Sequence, residues 1–160
     1  HGLDKGFTPQ QMDRVARIRS CLLAENAGTT GPEGVDQWLT ALVEHNPQNR
    51  MAFEYLMACH LLTGRVEKIA ENVKRLEALG YRSIPILYEE ALAIHYGGLG
   101  RLQDLARIPV SPQTVQRYGT FLQLRSSMRP QNEQAVLNVL IRDFGASYFF
   151  YYSFGRVGVM

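Results

Sequence analysis

Apolar residues recur along this chain every three or four positions, the period of an amphipathic helix, in blocks divided by proline and glycine. The first block opens at Thr8-Pro9-Gln10-Gln11. Thr8 suits an N-cap, Pro9 the first helical position, and Gln11 the reciprocal place in a capping box. Met12, Val15, Ala16, Arg19, Leu22 and Leu23 then share one face, with Asp13, Arg14 and Arg17 mostly turned away. A glycine- and threonine-rich loop signal follows from Asn26 to Gly34. The next helix is predicted from about Pro32 to Glu44, with Val35, Trp38, Leu39, Leu42 and Val43 inward.

Asn46 to Pro85 reads as a helical hairpin. Asn46 is the expected cap and Pro47 the first helical residue, Phe53, Leu56, Met57 and Leu61 form the stripe, and Gly64 ends it. Val66, Ile69, Ala70, Val73 and Leu76 carry the return helix toward Gly80. A second hairpin is predicted from a Ser83 cap through His95, broken at Gly97, Gly98 and Gly100 and returned by a short helix from Leu99 to Ala106. Ser111-Pro112 opens a helix reaching about Ser126. Arg129-Pro130 separates it from another through Val136, Leu140 and Ile141, ending near Gly145. No segment alternates over strand length. The expected fold is all-α, an α/α superhelix of about seven to eight helices in antiparallel pairs.

Composition narrows the classes. The 160 residues, 46% hydrophobic and 20% charged, suit one globular domain: an N-terminal helix pair (8–45), two central units (46–109), and a C-terminal pair with an aromatic tail (110–160). A net charge of +2 argues against a nucleic-acid partner, which needs a concentrated basic face. No apolar run approaches the roughly 20 residues of a membrane-spanning helix, and no secretory leader pattern is present. Because the chain starts at His1, it is read as a piece of a longer protein. Cys21 and Cys59 lie within helical patterns and are expected as buried free thiols, with a disulfide between them left open. Ligand spacing for zinc is missing, and the Asn26–Gly34 loop lacks the order of a phosphate loop, so neither metal nor cofactor is expected.

The central hairpins repeat. Tyr55 and Ala58 match Tyr88 and Ala91 at an offset of 33 residues. This stretch resembles the tetratricopeptide superfamily, as a degenerate member. Ala58, Ala91 and Ala70 fall at its small positions, while Glu54, Leu87, Leu61 and Ile94 replace expected aromatics, and Pro85 comes late. The phrases NRMAFEYLMACHLLTG, IPILYEEALAIHYGG and SYFFYYSFG are also similar to an uncharacterised Bacteroidetes-type family, in which a multi-span membrane region precedes a helical soluble part. The first resemblance implies a groove lined by Tyr55, Cys59, Leu62, Tyr88, Leu92 and His95, binding a peptide or protein segment. The second implies an extramembrane domain of a membrane-anchored protein.

Catalysis is the third-ranked expectation. Glu89 and Glu90 are about 100° apart on a helix and cannot converge on one bond, so they are read as solvated or capping charge. His60 and His95 lack a third ligand, and Ser111, Ser126, Ser127 and Ser153 lack a nucleophile-elbow context. The tail Tyr148, Phe149, Phe150, Tyr151, Tyr152 and Phe154 holds six of the chain's 16 aromatics. It is expected to cap the last helical pair or to form an interface with a partner, a second copy or a membrane surface.

Overall fold

The computed structural model describes residues 32–155. The helix predicted to follow Thr8, and Cys21 within it, lie outside the described residues. Helices α1 (Pro32–His45), α2 (Arg50–Thr63) and α3 (Val66–Asn72) come first, α3 tightening into a 3-10 turn at Val73–Arg75. Then follow α4 (Ile86–Gly98), a 3-10 helix at Leu102–Arg107, α5 (Pro112–Ser126), α6 (Glu133–Phe144) and α7 (Tyr148–Phe154). The described chain is all-α. Each α-helix packs on the next in sequence, and α7 returns to α4.

Local chemistry sets the boundaries. Asn49, not Asn46, caps α2, its side chain accepting from the Ala52 N–H at 3.1 Å. Asn46 instead accepts from the Gln48 N–H and closes a turn with Asn49, which delays the helix by a few residues. Gly64 ends α2 at φ 68°, where the Arg65 N–H reaches back to the His60 carbonyl. A side chain at that φ would be strained, which is why glycine stands there. The return helix is shorter than its apolar spacing predicts. Asn72 donates its side-chain N–H to the Lys68 carbonyl, competing with the backbone ladder where the helix tightens. Ser83 does not cap α4. Pro85 holds the N-cap position, and the residue before a proline disfavours helical backbone. Ser111 caps α5 as the spacing predicts, accepting from the Thr114 N–H at 3.2 Å. The aromatic tail is itself helical, with Ser147 as its cap.

Two adjoining apolar clusters form the core. One gathers Leu39 and Val43 of α1, Phe53, Leu56 and Met57 of α2, Ile69 of α3, Ala91 of α4 and Tyr148 of α7. The other gathers Leu92, Ala93, Tyr118, Phe121, Leu140, Phe144 and Phe149. Helix α4 lies between them, so Tyr88 through Ala93 are consecutively buried. That is the signature of a helix covered on every side.

Close approach of α4 to α5 depends on Gly97. A Cβ there would meet the Tyr118 ring at 2.5 Å, whereas one at Gly98 would meet nothing within 4 Å. Gly97→Ala should therefore cost about 1–3 kcal/mol through overpacking. Gly98→Ala should be neutral or stabilising, by up to about 1 kcal/mol. Chemical denaturation of both variants checks this, and equal effects would contradict the packing argument.

Candidate interaction surface

The six residues expected to line one groove divide among three environments. Tyr55 and Leu62 of α2 are 63% and 66% exposed, and Cys59 beside them is half-buried. Burial, then the Asp36 carboxylate, pushes the Cys59 thiol above its ordinary pKa, so it stays protonated. Tyr88 and Leu92 are buried in the core and line no open groove. Burial raises the Tyr88 phenol to about 12. The reason is α4's central place: α5 and α7 cover faces that a simple array of hairpins would leave open. His95 is half-buried in a separate cavity of about 340 Å³ with Ile94, Tyr118, Phe121, Arg125 and Tyr152.

Tyr55 and Leu62 belong to a different feature. Met51, Tyr55, Ala58 and Leu62 are all exposed and follow one another at intervals of four, three and four residues. At 100° per residue they fall within a narrow strip of α2, opposite the strip of Ala52, Phe53, Leu56, Met57 and His60 that enters the core. Helix α2 is thus apolar on two opposite faces. Met51 and Ala58, which fit no core period, extend the outward face that the sequence reading assigns to Tyr55 and Leu62.

Tail residues Tyr148 and Phe149 are buried and are unavailable to a partner, while Phe150, Tyr151, Tyr152 and Phe154 are half-buried. Phe149 stacks at a tilt on Tyr118 and Phe121, with ring centroids 5.1 and 5.8 Å apart. The Tyr148 hydroxyl donates to the Leu61 carbonyl at 2.7 Å, and the Tyr151 hydroxyl to the Leu62 carbonyl at 3.2 Å. Both carbonyls belong to the last turn of α2, where the helical ladder runs out, and that of Leu61 also accepts from the Gly64 N–H at 3.1 Å.

The adjacent carboxylates Glu89 and Glu90 are buried rather than solvated. Glu89 accepts from the Ser111 N–H at 3.1 Å, the Ser111 hydroxyl at 2.9 Å and the Thr114 hydroxyl at 2.6 Å. Glu90 turns the other way and accepts from the Tyr148 N–H at 2.6 Å. Each carboxylate therefore sits at the N-terminus of a different helix, α5 or α7, where the helix dipole favours negative charge. Burial holds the Glu90 carboxyl above its ordinary pKa, against the opposing pull of the Tyr148 N–H. The capping half of the expectation stands and the solvated half does not.

A polar cleft of about 390 Å³ opens between α1, α2 and α3, with Asp36, Thr40, His60 and Lys68 among its lining residues. Asp36 pairs with Arg65 and lies 3.5 Å from the Nδ1 atom of His60. Neither that nitrogen nor the facing Asp36 oxygen has a hydrogen-bond partner. Burial lowers the His60 pKa more than Asp36 raises it, so the ring is neutral at pH 7. His60 and His95 line different cavities. Among the described residues no three His, Cys, Asp or Glu side chains are grouped to hold a metal ion, and no helix is long and apolar enough to cross a membrane.

Residues 9–155 match the model of DUF6057, a family of unknown function, and the chain belongs to that family. No curated protein and no solved structure matches it.

Three stability predictions follow from the buried polar groups. Glu89→Ala removes the acceptor of the buried Thr114 hydroxyl, the half-buried Ser111 hydroxyl and the Ser111 N–H and should cost about 2–4 kcal/mol in denaturant titration, with Glu89→Gln losing less. For Glu90, the folded pKa is raised, so the folded state holds its proton longer and stability is lost as pH climbs above 4.5. Glu90→Gln keeps an acceptor without the charge, so its stability relative to the parent should rise as pH goes from about 4 to about 8. For His60 the shift is downward, so the unfolded chain binds more protons just below pH 6.5. That contribution is complete above pH 6.5 and falls away as the solution is acidified, by at most about 1.4 kcal/mol per pH unit. The parent should lose more stability than His60→Gln between about pH 7.5 and 5.5; identical slopes would remove His60 as the cause.

Proposed function

We propose that this chain works by contact rather than chemistry, as a non-catalytic interaction module that holds an amphipathic helix of a protein partner along the outer face of α2. The observation that carries the reading is the exposed strip Met51, Tyr55, Ala58 and Leu62. Its spacing of four, three and four is the seam by which helices interlock side chains. Apolar side chains left in water across such a strip gain when a second helix covers them, and tyrosine adds contact area at low entropic cost. The polar groups that would otherwise suggest catalysis are engaged elsewhere, Glu89 and Glu90 in holding helix ends and Asp36 in pairing with Arg65.

A photo-crosslinking residue placed at Ala58 of the full chain tests this in the cells the protein comes from. A discrete adduct with a second polypeptide is expected, abolished by Tyr55→Glu with Leu62→Glu and not formed from exposed Gln116 on α5. The double variant should keep its melting temperature, since surface changes of this kind stay within about 0.5 kcal/mol each. No adduct from Ala58, or the same adduct from Gln116, would overturn the reading.

A further inference from the structure

We infer that the cavity between the ends of α4, α5 and α7 is a binding site for a small organic monocarboxylate with an apolar body. It stands apart from the α2 strip, none of whose residues lines it. Either reading can therefore fail without the other.

Helical spacing builds the walls. Tyr118, Leu122 and Arg125 follow one another at intervals of four and three on α5, so they share one face of that helix. Ile94 of α4 and Phe121 of α5 add apolar surface, and Tyr152 brings α7 to the same space. At about 340 Å³ the cavity falls at the small end of the range for ligand pockets, about 300–1,000 Å³. That is room for one aromatic ring or a short branched chain.

Charge selects the head group. No aspartate or glutamate lines the cavity, and Arg125 is its one permanent charge. Among the described residues Arg125 pairs with no carboxylate. It is exposed and so stands at the mouth, where its guanidinium offers the planar fork of donors that fits a carboxylate. A single guanidinium balances a single negative charge, which favours a carboxylate over a phosphate dianion and disfavours an amine.

A second donor waits inside. Tyr118 is only 6% exposed, yet among the described residues its hydroxyl has no hydrogen-bond partner. Nor is that oxygen sealed in protein, since the sealed and unpaired side-chain atoms among the described residues belong to Asp36 and His60. A hydroxyl that is unbonded but not sealed opens onto space that another atom can enter, and Tyr118 lines this cavity. Burial raises its phenol above the ordinary pKa and the Arg125 charge only partly offsets that, so the proton is in place at pH 7. Arg125 and Tyr118 are thus two idle donors for one head group, with Ile94 and Phe121 as cover for the body.

Titration of the full chain with 3-phenylpropionate at pH 7, followed by amide NMR shifts, tests the site. Saturable binding is expected with a Kd of about 1 mM or tighter, an ordinary value for a ligand of that size. The amide and amine with the same body should bind roughly tenfold more weakly or worse, and acetate, which lacks the body, should not displace the acid. Arg125→Gln should weaken the acid by roughly ten- to a hundredfold, and Tyr118→Phe, which keeps the buried ring, by roughly threefold or more. Arg142→Gln, an exposed arginine on α6, should change nothing. No saturable binding, an amine as tight as the acid, displacement by acetate, a Kd unmoved by Arg125→Gln or Tyr118→Phe, or an equal loss from Arg142→Gln overturns the inference.

Discussion

Two neighbouring carboxylates hold this fold in register. Glu89 and Glu90 occupy consecutive positions of α4, and their divergence of about 100° sends one to the start of α5 and the other to the start of α7. Burying a carboxylate is costly unless hydrogen-bond donors meet it, and helix N-termini supply donors together with a favourable dipole. The pair therefore fixes where two later helices must begin relative to α4. Because α4 also separates the two apolar clusters, displacement of either carboxylate would be felt on both sides of the core.

The aromatic tail completes that arrangement. Phe149 fills the second cluster against Tyr118 and Phe121, Tyr148 enters the first, and the hydroxyls of Tyr148 and Tyr151 satisfy the end of α2. A seven-residue helix would be marginal alone. Here it is stabilised by burial on one side and by polar anchors at both ends of its contact with the rest of the chain. The result joins elements from both halves of the described sequence.

Most helices were legible in the sequence because local rules decide them. Gly64, Ser111-Pro112 and the spacing of Phe53, Leu56, Met57 and Leu61 act within a few residues, and the structure follows them. The aim of Glu89 and Glu90 was not legible, since it depends on residues 22 to 58 positions away. An acidic pair inside the apolar run Ile86-Leu87-Tyr88 to Ala91-Leu92-Ala93 was nonetheless a sign that donors had to arrive from elsewhere. The groove was misread for a similar reason. Repeat spacing placed Tyr88 and Leu92 on an equivalent face to Tyr55, but no periodic rule states that α7 folds back over α4. Only α2, at the edge of the described packing, keeps the exposure that the repeat reading assigned to both.

The bonds from Tyr148 to Glu90 and to Leu61, across 58 and 87 residues, give the fold a temporal order. A chain made from its N-terminus presents Glu90 and the end of α2 long before α7 exists. Contacts of such separation carry a large loop-closure entropy and form late. Until α7 leaves the ribosome, the nascent chain holds the Glu90 carboxylate without its Tyr148 donor and a core without its Phe149. Completion of this packing therefore waits on Tyr148–Phe154, and a chain cut short before Tyr148 would be left with exposed apolar surface that favours association with other chains.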